Sequence, residues 1–144
     1  MSVQIFHSNG PVCTEQIAAQ LAASFVPGTL VAMRGGLGAG KTAFVRGACR
    51  VLAPGERVTS PSYAIINRYD GPVPVYHMDA YRIGSEDLIG IGWEDLLAEN
   101  AIYFVEWSEN LEGALPSHGL TVTFEVTGEN DRRITVERRE EGVC

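Results

Sequence analysis

Gly35-Gly36-Leu37-Gly38-Ala39-Gly40-Lys41-Thr42 is the stretch that decides how this chain folds. It satisfies the phosphate-binding loop pattern, Gly, any four residues, then Gly-Lys-Ser/Thr, at each required position. Its flanks supply the context the pattern needs. Thr29-Leu30-Val31-Ala32-Met33 is apolar enough for a buried strand. Thr42 to Leu52 sets Phe44, Val45, Ala48, Val51 and Leu52 at helical spacing. Strand, loop and helix thus follow in the order of a P-loop. Glycines let the backbone wrap a polyphosphate without Cβ clashes and expose several N–H groups to it. The helix N-terminus adds orphan donors and a favourable dipole. The expected nucleotide contacts are Gly36, Leu37, Gly38, Ala39, Gly40, Lys41, Thr42 and Ala43. Lys41 is expected to reach the β- and γ-phosphates of ATP, and the Thr42 hydroxyl to ligate Mg²⁺. A chance match in a Gly-rich turn is the competing reading, and both flanks weigh against it.

The bulk of the chain sets bounds. At 144 residues it is expected to form one domain spanning 1–144, long enough for a sizeable core. Hydrophobic residues at 45% and charged residues at 20% describe an ordinary globular composition. A formal charge of −7 argues against tight, autonomous nucleic-acid binding, which needs a basic footprint. Contact with RNA through a partner stays open. The three cysteines, Cys13, Cys49 and Cys144, have neither zinc nor CxxC spacing, which suits a reduced cytoplasmic setting. No apolar run has the length of a membrane span, and no secretory pattern opens the chain.

Outward from the P-loop, Val3 to Phe6 reads as a short strand and Thr14 to Phe25 as a helix ended by Pro27-Gly28. Tyr63–Tyr69 and Val73–Asp79 read as two strands around Asp70-Gly71-Pro72. Ser85 to Leu97 is helical in patches, interrupted by Gly90 and Gly92. Ala101-Ile102-Tyr103-Phe104-Val105 is a buried-strand run ending at Glu106. Leu120, Val122, Phe124 and Val126 alternate with polar residues, as do Ile134 and Val136, which predicts a half-buried antiparallel hairpin turning at 127–131.

A P-loop needs an acid at a strand end to hold Mg²⁺ or orient the attacking water. Glu106 directly follows five apolar residues and is the first candidate; Asp79, ending Val75-Tyr76-His77-Met78, is the second. Either could be a plain surface acid. Glu86, Asp87, Glu94, Asp95 and Glu99 read as a solvated helix face. Thr59-Ser60-Pro61-Ser62-Tyr63 offers hydroxyls on a Pro-pinned loop, suited to ordering around a γ-phosphate or simply to entering a strand. His77 reads as a structural histidine or a proton carrier, and Trp107 as core filling or a wall of the site. Asn67-Arg68-Tyr69-Asp70 and Asp87-Leu88-Ile89-Gly90 mimic guanine-protein motifs in the wrong places, so nothing favours guanine.

In this order the pieces resemble a known family, the bacterial ATPase of tRNA threonylcarbamoyladenosine synthesis, TsaE (also YjeE). The resemblance rests on Gly35 to Thr42 with Arg46-Gly47, Ser60-Pro61-Ser62-Tyr63, and His77-Met78-Asp79-Ala80-Tyr81-Arg82. It continues through Phe104-Val105-Glu106-Trp107-Ser108-Glu109 and Leu115-Pro116, covering roughly residues 10 to 136. The His-x-Asp-x-Tyr-Arg and Val-Glu-Trp blocks are far more specific than the P-loop. Two positions depart: the family usually carries an acid where Gly36 sits and a threonine where Ser62 sits. The resemblance implies a small P-loop NTPase fold with a mixed sheet. Together with the hairpin, the expected fold class is α/β, a single P-loop domain with a mixed, mainly parallel sheet, helices on both faces and a C-terminal antiparallel hairpin. It also implies weak ATPase activity alone, with ATP and Mg²⁺ bound. The implied partners are the TsaD and TsaB proteins, which threonylcarbamoylate adenosine 37 of ANN-decoding tRNAs, with tRNA met only through the complex. Lys41, Thr42, Glu106 and Asp79 inherit the site roles: catalytic Glu106, Asp79 and Lys41, with Thr42 and Glu106 on the metal.

Two other classes compete. A small-molecule kinase with this loop usually adds an Arg-rich lid after the acid strand, yet no Lys or Arg occurs between Glu106 and Arg132. Arg132, Arg133, Arg138 and Arg139 read as a solvated hairpin face. A nucleotide-dependent binding switch with negligible catalysis would differ in ATP turnover with partners.

Overall fold

The structure, a computed structural model, describes residues 2–36, 38–61, 65–111, 113–116 and 119–139. Its strands are β1 (Val3–Ser8), β2 (Leu30–Arg34), β3 (Ile66–Tyr69), β4 (Val75–Asp79), β5 (Ile102–Glu106), β6 (Gly119–Val126) and β7 (Arg132–Arg139). They join in one sheet of order β1-β7-β6-β2-β5-β4-β3. The central run β6-β2-β5-β4 is parallel. Antiparallel strands close both sides, β7 and β1 beyond β6 and β3 beyond β4. The continuous apolar runs in β2 and β5 follow from their central place, where both faces are covered. The alternation in β6 marks a strand with one face buried more deeply than the other.

Strand periodicity of two divides the core. Val31, Met33 and Phe104 face the helices α1 (Pro11–Ala22) and α2 (Lys41–Leu52), together with Ile17, Phe44 and Val45. Leu30, Ala32, Tyr103 and Val105 face the opposite layer, with Leu88, Trp93 and Leu111. That layer holds α3 (Leu88–Ile91), α4 (Trp93–Leu97) and single 3₁₀ turns at Ser85–Asp87 and Ser108–Leu111. Helices on both faces of a mixed sheet agree with the expected class. On the first face the two helices approach unusually closely. A Cβ added at Gly47 of α2 would stand 2.2 Å from the Glu15 carbonyl of α1. Buried Glu15 in turn accepts from Arg50 at 2.5 Å and lies 3.9 Å from Arg46.

Several boundaries differ from the sequence expectation. Helix α1 begins at Pro11 rather than Thr14, because proline's fixed φ suits a first helical turn. Ser85–Leu97 is divided at Gly92, which adopts φ +79 between α3 and α4. The strand expected from Tyr63 begins at Ile66; Ser62, Tyr63 and Ala64 lie outside the described residues. The C-terminal hairpin forms as expected, but it is built into the sheet: β6 pairs with β2 and β7 with β1. Alternation shows which face of a strand is wet and carries no information on which distant strand lies beside it.

Candidate functional site

Strand β2 delivers the chain into the P-loop at Gly35. There φ is +147, and a Cβ would lie 2.9 Å from the Phe124 carbonyl, so a side chain is excluded twice. The loop turns through an Ala39 N–H donating to the Gly36 carbonyl at 3.3 Å and enters α2 at Lys41. Phe44, packed edge-on to Phe124 at 5.6 Å between ring centroids, anchors the first turn of that helix. Arg132 reaches back from β7 and donates to the Gly38 carbonyl at 3.1 Å. It therefore braces the P-loop, which corrects its reading as part of a merely solvated face. Leu37 lies outside the described residues.

Lys41 is only 5% exposed. Its ammonium donates to the Gly35 carbonyl at 2.5 Å and sits 3.5 Å from the Trp107 ring centroid, a cation–π contact. Burial holds that ammonium below the ordinary lysine value, against the opposing pull of the Glu106, Glu109 and Asp79 carboxylates. Phosphate oxygens brought to this spot would supply the counter-charge that burial makes scarce.

The acids come from the neighbouring strands. Glu106 ends β5 opposite Met33 of β2 on one side and Asp79 of β4 on the other. Its carboxylate is buried and accepts from the Thr42 hydroxyl at 3.1 Å, across the gap between β5 and the start of α2. His77 Nε2 contacts the same Glu106 oxygen. Asp79 is half-buried and uses Oδ1 to accept from the Tyr81 N–H at 2.9 Å, pinning the turn that leaves β4. Trp107 takes a left-handed φ of 59, its ring reaching Lys41 and lying 4.9 Å from that of Tyr81. Ser108 donates to the Met33 carbonyl at 3.0 Å, and Asn110 to the Ala80 carbonyl at 2.8 Å. Lys41, Thr42 and Glu106 are thus brought together, with Asp79 one strand away.

Comparison with known proteins places the chain in a family. The family model for the threonylcarbamoyl adenosine biosynthesis protein TsaE matches residues 9–134. The chain belongs to the TsaE family. A curated TsaE from Bacillus subtilis (strain 168), called a tRNA threonylcarbamoyladenosine biosynthesis protein, is 38% identical over 140 residues, 93% of this chain and 87% of that protein. The one from Treponema pallidum (strain Nichols) is 36% identical over 110 residues, covering 76% and 82% of the two chains. The crystal structure of Bacillus subtilis YdiB superposes with a TM-score of 0.83 at 31% identity, over 96% of this chain and 87% of that one.

The donor set suits the metal that TsaE's P-loop implies. The Thr42 hydroxyl and the Glu106 carboxylate are adjacent hard oxygen donors of the kind that would hold such a metal. Mg²⁺ typically takes one or two carboxylates, completing its shell with phosphate oxygens and water. At Gly36, where the family resemblance leads one to expect an acid, an added Cβ meets nothing within 4 Å among the described residues, so the glycine is not a spatial requirement. Sequence reasoning gave no role to Tyr69, Ser108 or Asn110, each of which acts on a backbone group distant in sequence. The only signal for Ser108 and Asn110 was their place just after the Val-Glu-Trp block.

Proposed function

We propose that this protein is a Mg²⁺-dependent P-loop ATPase, slow alone, that supports threonylcarbamoylation of adenosine 37 in ANN-decoding tRNAs together with TsaB and TsaD in the cytoplasm. The observation that carries the ATPase reading is the Thr42–Glu106 contact beside the buried Lys41 ammonium. The family and the names of the relatives support the tRNA reading. No helix among the described residues is long and apolar enough to cross a membrane.

Gly36 to Ala43 would hold the polyphosphate through backbone N–H groups, and Lys41 would neutralise its β- and γ-oxygens. Thr42 and Glu106 would hold Mg²⁺, which when bound neutralises charge developing between those oxygens. Glu106 and Asp79 would orient the attacking water from the ends of β5 and β4. A residue set this spare leaves part of the positioning to partners, because phosphoryl transfer is mostly positioning and charge stabilisation. The acidic surface leaves the tRNA to those partners.

Modified adenosine per TsaD, read by mass spectrometry with this chain present, absent or carrying Lys41→Ala, tests the proposal. Repeated turnover only with the parent chain, alongside ATPase activity that rises when TsaB and TsaD are added, is expected. Equal repeated turnover in all three overturns the tRNA role. ATP left intact by the complete mixture while modification proceeds favours a binding switch.

A further inference from the structure

His77 is fully buried in the middle of β4, where a P-loop enzyme has no general need for an imidazole. Both of its ring nitrogens are engaged. Nε2 contacts Glu106, and Nδ1 lies 3.2 Å from the Tyr69 hydroxyl. That hydroxyl, itself on a residue only 5% exposed, donates to the Thr59 carbonyl at 3.2 Å. Asn67, the cross-strand neighbour of His77, donates to the same carbonyl at 3.2 Å. A continuous polar line therefore runs from Thr59 through Tyr69 and His77 to Glu106, and on to Thr42. Its two ends face one cleft of about 670 Å³, lined by Thr42, Thr59 and Ser60.

We propose that Tyr69 and His77 are positioning residues that couple the Thr59–Ser60 segment to the orientation of the Glu106 carboxylate. A carboxylate held by Thr42 alone can still rotate. A second contact from a ring itself fixed at both nitrogens removes that freedom. Each contact in the line is buried or half-buried, so losing one leaves a polar group short of a partner, which favours adjustment of the whole line together. A displacement of the Thr59 carbonyl is thereby felt at Glu106. In its kinetic form the inference rests on the ATPase reading above.

Tyr69→Phe is the test variant, because it removes one oxygen outside the proposed catalytic set and leaves Asn67 on the Thr59 carbonyl. ATP turnover is expected to fall about 5–10-fold with KM within about twofold, the scale of one hydrogen bond. In a Glu106→Gln background the same change is expected to cost nothing further, since its effect passes through Glu106. His77→Gln, keeping a donor, should retain more activity than His77→Leu. Additive losses in the double variant would overturn the coupling. A second readout needs no hydrolysis: the NMR shift of the Thr59 carbonyl carbon should respond to Glu106→Gln in the parent and not in Tyr69→Phe. Identical responses, or none in the parent, would also overturn it. A parent that hydrolyses ATP no faster than Lys41→Ala refutes the ATPase reading alone, and the carbonyl shift then decides the coupling.

Discussion

The proposed phosphate half of the site comes from consecutive residues of one loop and helix start, Gly35 to Ala43 in sequence, whereas the acid half draws Asp79 and His77 from β4 and Glu106 from β5. The first half is shaped by backbone and by the space around it: no room for a Cβ at Gly35, and two helices nearly touching behind it at Gly47. The second is shaped by side-chain hydrogen bonds that tie β5 to β4 and to the first turn of α2, all remote from one another in sequence. The difference teaches how each half should fail. The phosphate half breaks through packing and takes the fold with it. The acid half breaks through chemistry and leaves the fold standing.

The largest effect is expected at Gly47. Gly47→Ala forces a Cβ against the Glu15 backbone, which cannot rotate away as a side chain would. A loss of about 3 kcal/mol or more in urea unfolding is expected, toward the upper end for overpacking. An unchanged midpoint would show that α1 and α2 can part freely, and the contrast with the acid half would collapse.

Glu106→Gln comes next. With partners present, ATP turnover should fall about a hundredfold, typical of removing one preorganised group from a charged transition state. ATP affinity by calorimetry should move by less than about threefold. A parallel loss of folding stability beyond 2 kcal/mol would place Glu106 with the structural group instead.

Lys41 bridges the two halves and should behave intermediately. Lys41→Ala is expected to cost about 2 kcal/mol of Mg-ATP affinity, the scale of a charge-assisted contact. Its burial gives a second, pH-dependent signature. The folded value lies below the ordinary 10.5, so charged Lys41 weighs against folding at neutral pH. That weight lifts as pH rises through the folded value toward 10.5. The stability difference between Lys41→Met and the parent, measured by urea unfolding across that alkaline window, should shrink as pH rises.

The smallest effect sharpens the boundary between halves. Ser108 follows the acid strand but donates to Met33 at the threshold of the P-loop. Ser108→Ala should cost about 1 kcal/mol of stability, one buried hydrogen bond, with ATP turnover nearly unchanged. A turnover loss larger than the stability loss would mean that the tie between β2 and β5 also aims Glu106.

The same division explains what could be read in advance. Residues 35–42 were legible because their chemistry is local: a strand, glycines and a helix start occur within one short window. Glu106 and Asp79 were legible as strand ends because the runs before them are apolar, unbroken before Glu106 and interrupted only by His77 before Asp79. The family resemblance already set Glu106 beside Thr42, but that Glu106 also meets His77 was not legible, because it depends on the order of β5 and β4 in the sheet. Arg132 was read as solvated because hairpin alternation assigns it a face and not a neighbour. The need for glycine at position 47 follows from where Glu15 lies, which no helical periodicity reveals.

One pairing bears on how the molecule is made. Among the described residues, β1 has only β7 as its neighbour in the sheet, and β6 inserts beside the P-loop strand β2. During synthesis from the N-terminus, the phosphate loop is therefore translated long before the strand that flanks it and before Arg132, which braces Gly38. Nascent chains halted ahead of β6 carry the whole nucleotide motif with one flank of β2 unpaired. Such distant pairings form slowly and leave strand edges open meanwhile. Competence for nucleotide should arise late and abruptly on the ribosome, when β6 pairs with β2 and Arg132 reaches Gly38.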